Sequence, residues 1–77
     1  MTHTPHDLAT EFPDKAERMH ALRAADAHFA RLAEEYHDVN RAVHRAETRI
    51  DTMTDAQEAA LRRRRLAIKD EIARMLA

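Results

Sequence analysis

Apolar side chains return at a fixed interval through the first two thirds of this chain. Leu22, Phe29, Tyr36, Val43 and Ile50 recur every seven residues. Ala25, Leu32, Val39, Ala46 and Met53 follow, each three places later. Positions three and four apart lie above one another on a helix, so this a/d pattern predicts a long helix with a narrow apolar seam turned toward other helices. Pro13 suits the first position of that helix, where its missing N–H is an orphan in any case. Asp14 and Glu17 favour the positive end of the helix dipole. Past Pro13 there is neither Gly nor Pro, and strong helix formers dominate, so the first helix is expected over about 13–51.

Thr52-Met53-Thr54-Asp55 interrupts the pattern. Thr54 with Gln57 three places on has the form of a capping box, which predicts a second helix over about 55–75. Its stripe is Leu61, Ile68, Ile72, Met75 and Leu76, with Arg65 on the same face. A short connection makes the two helices antiparallel neighbours, so the expected fold is all-α: a helical hairpin with coiled-coil-like packing. A turn centred near Thr52 sets Val43 against Leu61, Tyr36 against Ile68 and Leu32 against Ile72. A later turn sets Ala46 against Arg65, and one uninterrupted helix through Thr54 is the rival architecture. Residues 1–12, with Pro5 and scattered polar groups, read as a flexible tail ahead of a 13–77 hairpin domain.

The two predicted helices are unequal. The first overhangs the second by about 16 residues, about 24 Å at 1.5 Å per residue. Met19, Leu22, Ala25 and Phe29 fall on that overhang, with no second helix to cover them. Leu66 stands away from the stripe of the second helix. Exposed apolar seams meet another copy or another protein, so oligomerisation or docking of a helical protein partner is expected. The expected contact residues are Leu22, Phe29, Leu32, Tyr36, Val39, Val43, Leu61, Leu66, Ile68 and Ile72.

Size and composition narrow the function classes. A chain of 77 residues makes one small domain and offers no scaffold for a deep cleft. Cysteine is absent, which removes disulfide and thiolate chemistry; glycine is absent, which removes phosphate-cradling loops. No nucleophile–base pair stands at a usable spacing, so no enzyme, cofactor or small-molecule substrate is expected. The N-terminus lacks the apolar stretch of a signal peptide, and nowhere do 18 apolar residues run together. A cytoplasmic protein without a membrane span is the expectation.

Net charge is −1, but the balance is uneven. Residues 1–60 carry 7 basic and 12 acidic side chains; residues 61–77 carry 6 basic and 2 acidic. The second helix is thus drawn to the first, or to another copy's. Within it, Lys69, Asp70 and Glu71 form a compact ion-pair set suited to fixing register: Asp70 reaches Arg74 at i+4, and Lys69 an acid of the first helix. Arg62, Arg63, Arg64 and Arg65 present phosphate-binding groups, so a small nucleic-acid-associated factor is the alternative function. Against it, successive helical residues point about 100° apart, and no aromatic is near for base stacking.

Six histidines raise the question of metal. Only His3 and His6 have a helical ligand spacing, and they lie in the proline-containing tail; Met1-Thr2-His3 chelates only through a free amine. His37 and His44 share a face but stand about 10 Å apart along the axis. No metal site is expected. Histidines beside the seam make pH-sensitive assembly a side expectation. Tyr36 reads as core with its hydroxyl at the rim, and Asn40 as a flank residue, with buried register-setting asparagine the sharper alternative.

The block from His28 onward resembles the YdcH-like family of small bacterial proteins. The likeness is carried by Phe29-Ala30-Arg31-Leu32, by Glu35-Tyr36-His37-Asp38-Val39, Val43 and Glu47, and above all by Leu61-Arg62-Arg63-Arg64-Arg65-Leu66-Ala67-Ile68-Lys69-Asp70-Glu71-Ile72 with Met75 and Leu76. Arg62 stands where lysine is usual. The resemblance implies a short coiled-coil-like domain of unknown function and carries over no catalytic residue.

Overall fold

The computed structural model describes residues 6–50 and 52–77. It is all-helical, and the helices pack against one another. In chain order they are α1 (Leu8–Glu11), a 3₁₀ turn (Pro13–Lys15), α2 (Ala16–Ala25), α3 (Ala27–Glu47) and α4 (Asp55–Leu76).

The predicted first helix is not continuous. It breaks at Asp26, whose backbone is extended (φ −130°, ψ 108°). The carboxylate accepts from the backbone N–H of His28 at 2.9 Å and of Phe29 at 3.2 Å, satisfying two donors that a helix start leaves free. Asp26 N–H closes α2 by donating to the Leu22 carbonyl at 2.8 Å. No residue here forbids a helix. What the break achieves is burial: α2 doubles back on α3 and brings Met19 into the core with Phe29 and Ala33. A straight helix leaves those side chains in water, at about 1.5–3 kcal/mol for each large one. The expected bare overhang is therefore covered by the chain's own N-terminal part.

Nor are residues 1–12 wholly a tail. Asp7 caps α1, accepting from Thr10 N–H at 2.8 Å, and Leu8 is buried in the core with Phe12 packed beside it. Apolar residues at i and i+4 share one helical face, and here that face docks on the rest of the chain. The stretch 1–5 lies outside the described residues.

α3 ends at Glu47, short of the expected end near 51, and Asp51 itself is outside the described residues. Ile50 N–H donates to Arg45 O at 2.9 Å and Arg49 N–H to Ala46 O at 3.2 Å, with Arg49 left-handed at φ 65°. That pair of bonds is the Schellman end of a helix. Ile50, last of the series that starts at Leu22, is thrown outward and is 67% exposed. The box at Thr54 then starts α4: Gln57 N–H donates to Thr54 Oγ1 at 3.1 Å and Thr54 N–H to Gln57 Oε1 at 2.9 Å. With α3 closed and α4 capped separately, the single-helix architecture is ruled out.

Contacts between α3 and α4 step in opposite directions along the two helices: Glu47 to Arg62, Asn40 to Arg65 and His28 to Glu71. Arg65 thus meets Asn40 and not the neighbourhood of Ala46. Tyr36, Phe29, Ile72 and Val43 are fully enclosed in one core to which α1, α2, α3 and α4 all contribute.

Candidate functional site

The inner face of α3 is spent on the chain's own core. Of the ten predicted contact residues, Phe29, Leu32, Tyr36, Val39, Val43, Ile68 and Ile72 are buried within the single chain, and Leu22 and Leu61 are half-buried. Leu66 alone stands out, 57% exposed. On the overhang, Met19 is buried and Ala25 exposed.

A groove of about 610 Å³ lies open along the flank of α3 turned away from α2. Leu32, Val39, Ala42 and Leu61 supply its apolar floor, and Arg31, Glu34, Glu35, Asp38 and Arg64 its charged rim. A second hollow, at Met53, Gln57 and Ala60, shares Leu61 and Arg64 with it and continues it toward the start of α4. The periodicity that places Leu32 and Val39 on the inner face leaves their outer edges here, because a helix stripe is wider than the seam one neighbour covers.

Three of the four arginines are engaged by polar side chains of the protein itself, though Arg62 and Arg64 stay exposed. Arg62 donates to Glu47 at 3.0 Å and to Glu58 at 2.8 Å, and those two carboxylates, Glu47 first, raise its pKa. Arg64 reaches Glu35 at 2.6 Å, and Arg65 reaches Asn40 at 2.9 Å. Arg63 is exposed. The four do not form one basic face, as the helical angle between successive residues dictates.

Lys69 and Glu71 both bridge elements, Lys69 to an acid that lies ahead of the predicted first helix. Lys69 Nζ donates to Glu11 Oε1 at 3.0 Å, an acid of α1 in the stretch read as tail. Glu71 meets His28 Nε2 at 2.8 Å, and Asp70 is exposed. Glu11 also faces His6 Nδ1 at 3.4 Å. Its pKa is lowered, chiefly by the hydrogen bond from Lys69. Tyr36 is wholly buried, and its hydroxyl donates to the His6 carbonyl at 2.6 Å; burial pushes its pKa up. The hydroxyl expected at a rim is therefore a tie to the N-terminal segment.

Asn40 corrects another expectation. It is 2% exposed, set in the core and not on a flank. Sequence signals for these ties were slight: Asp26 is a favoured cap residue within an alanine-rich stretch, and Asn40 sits one place from a d position, but nothing marks Glu11. Among the described residues no cluster of three His, Asp or Glu is arranged to hold a metal ion, and no helix is long and apolar enough to cross a membrane. His37 lies edge-on to Tyr36, ring centroids 6.3 Å apart. His3 is outside the described residues.

α3 with α4 therefore carries the groove and most of the core of this small all-α protein. The chain belongs to the protein family of unknown function DUF465, which it matches over residues 29–76 and which includes the YdcH-like proteins. The matched stretch spans nearly all of α3 and α4; α1, α2 and Asp26 lie ahead of it. No curated protein and no solved structure matches the chain.

Proposed function

We propose that this protein acts by binding and not by catalysis, as a coiled-coil-like helical module that self-associates or receives a partner helix. The observation that carries the reading is the open groove with Leu32, Val39 and Leu61 in its floor and acids and arginines on its rim. An amphipathic helix fits such a groove through anchors spaced three or four apart, while rim charges set its orientation. Exposed Leu66 and Ile50 add apolar area outside the core. A cytoplasmic setting belongs to the same proposal, with α3 and α4 as its working hairpin.

Light scattering over a hundredfold concentration range tests it, on the full chain and on Leu61→Asp and Leu66→Asp. Self-association predicts a multiple of 8.9 kDa that Leu61→Asp reduces without loss of helicity. A monomer at every concentration that captures no helical partner from the cell would overturn it. Steeply salt-dependent binding to duplex or single-stranded nucleic acid would move the function to Arg62, Arg63, Arg64 and Arg65.

A further inference from the structure

Residues 6–25 cover one face of α3 and are joined to it through one extended residue. α2 closes at Ala25, Asp26 alone leaves the helical region, and α3 opens at Ala27. Neither neighbour is Gly or Pro. Rotation about Asp26, mostly in ψ, is all that separates the bent chain from one straight helix through α2 and α3. The seven-residue phase runs through this corner unbroken, from Leu22 to Phe29 and from Ala25 to Leu32. One continuous helix through Asp26 keeps Leu22 and Ala25 in line with Phe29 and Leu32.

The geometry points to a second copy of this chain as the partner for the α2-facing side of α3, reached by exchange of residues 6–25 about Asp26. The cleft between the helices is lined by Arg23, Met19 and Ala16 from α2 and by Phe29, Ala33 and His37 from α3. His20 lines it too, and the two sets recede from Asp26 in opposite directions, Arg23 and Phe29 three places away and Met19 and Ala33 seven. Two straightened chains laid antiparallel, with both Asp26 residues at the two-fold axis, re-create the same apposition between copies. Met19 and Leu8 return to the Phe29–Ala33 face, and Lys69 regains Glu11 from the other chain. Joining α2 to α3 adds backbone hydrogen bonds across the corner; it gives up the Asp26 caps and brings two carboxylates together. The bent monomer and the exchanged dimer then share nearly all contacts, and concentration selects between them. This exchange uses the side of α3 opposite the groove and does not depend on it.

Two substitutions push the hinge in opposite directions. Asp26→Ala removes the cap and the central charges; loss of a cap of this kind shifts the equilibrium about fivefold per chain, so dimerisation tightens about 25-fold. Ala27→Pro places proline at the first position of α3, where its lack of an N–H costs neither of the Asp26 cap bonds, and holds residue 26 extended. The expected result is a dimer for Asp26→Ala at concentrations where the unmodified chain is monomeric, and a monomer throughout for Ala27→Pro. A mixture of Met19→Cys chains with Ala33→Cys chains, refolded together, should form interchain disulfides. Equal masses for Asp26→Ala and Ala27→Pro, or a dimer without that crosslink, would overturn the exchange. An assembly that Ala27→Pro retains and Leu61→Asp breaks overturns the exchange while leaving the groove in place; the reverse pattern removes the groove and leaves the exchange.

Discussion

Arg65 of α4 donates from Nη1 to the side-chain oxygen of Asn40 in α3 at 2.9 Å, inside the seam between the two helices. The pair is polar, yet it sits in a row with Val43 and Tyr36 on one side and Ile68 on the other. Half-buried and with its head engaged, Arg65 occupies an apolar stripe without leaving its charge unsatisfied. A polar group enclosed this way discriminates between alignments, because any slip along the seam strands the asparagine among apolar side chains.

Asn40→Ala should therefore cost about 1–3 kcal/mol, the range for breaking a buried hydrogen bond and leaving a gap. For a domain of this size that lowers Tm by roughly 4–8 °C per kcal/mol. The double change Asn40→Leu with Arg65→Met should recover most of the loss, since removing both polar partners is far less harmful than removing one. Thermal melts of the three chains check this. A double variant less stable than Asn40→Ala would mean the pair contributes more than seam alignment.

Arg49 offers the opposite case, a residue that the fold holds in an unfavourable conformation. It closes α3 at φ 65°, where a Cβ crowds the carbonyl and glycine does not. The chain contains no glycine, so this helix end is made without the residue best suited to it. Arg49→Gly should stabilise the protein by about 1 kcal/mol, less some entropy of the unfolded chain. Urea unfolding measures it, and a lower midpoint would show that the Arg49 side chain contributes an attraction larger than the strain.

Much of the fold is legible in the sequence because its strongest signals are local. The box at Thr54 and Gln57 needs only two side chains at the right spacing, and it forms. The seven-residue recurrence identifies the buried face of α3 for the same reason: helical geometry alone turns spacing into a face. The break at Asp26 was not legible, since it is decided by what α2 gains on folding back, and Ala25-Asp26-Ala27 tolerates either state. Glu11 and Asn40 fail for a related reason. Each acquires its role from a residue far along the chain, Lys69 and Arg65, and no periodicity encodes that pairing. The candidate groove was hidden because the sequence stripe marks apolar residues without telling which edge a neighbour leaves uncovered.

Tyr36 ties α3 to the N-terminal segment by donating to the His6 carbonyl at 2.6 Å. Tyr36→Phe keeps the ring in its place and deletes only this bond, so it should cost about 0.5–1.5 kcal/mol. Burial raises the folded-state pKa of the phenol above 10.0, so its share of stability is full below that value and fades as pH rises beyond it. Wild-type stability should fall above pH about 10 more steeply than that of Tyr36→Phe. Parallel slopes in alkali would mean the phenol is free to ionise in the folded chain. Hydrogen exchange should also show α1 opening more often in the variant while α3 and α4 stay protected.

Glu11 makes the matching acid-side test of the same tie. Lys69 from α4 and His6 from the N-terminal side both face its carboxylate, and Tyr36 of α3 lies within its field. The Lys69 hydrogen bond lowers the folded-state pKa below the ordinary value of 4.5. A depressed carboxyl pKa contributes stability that is complete above the unfolded value and is lost as pH falls through the folded one. Because the pair is partly exposed, its worth is about 0.5 kcal/mol. Glu11→Gln should thus be less stable than the wild type at pH about 7, and the gap should shrink as pH drops below about 4.5. Lys69→Met should weaken the acid dependence in the same window, since it removes the group that depresses Glu11. Urea midpoints for the three chains from neutral pH to acid separate these contributions. A difference between wild type and Glu11→Gln that stays constant to the lowest pH would mean the glutamate acts through packing alone, and that the contact holding α1 on α4 is not an ion pair.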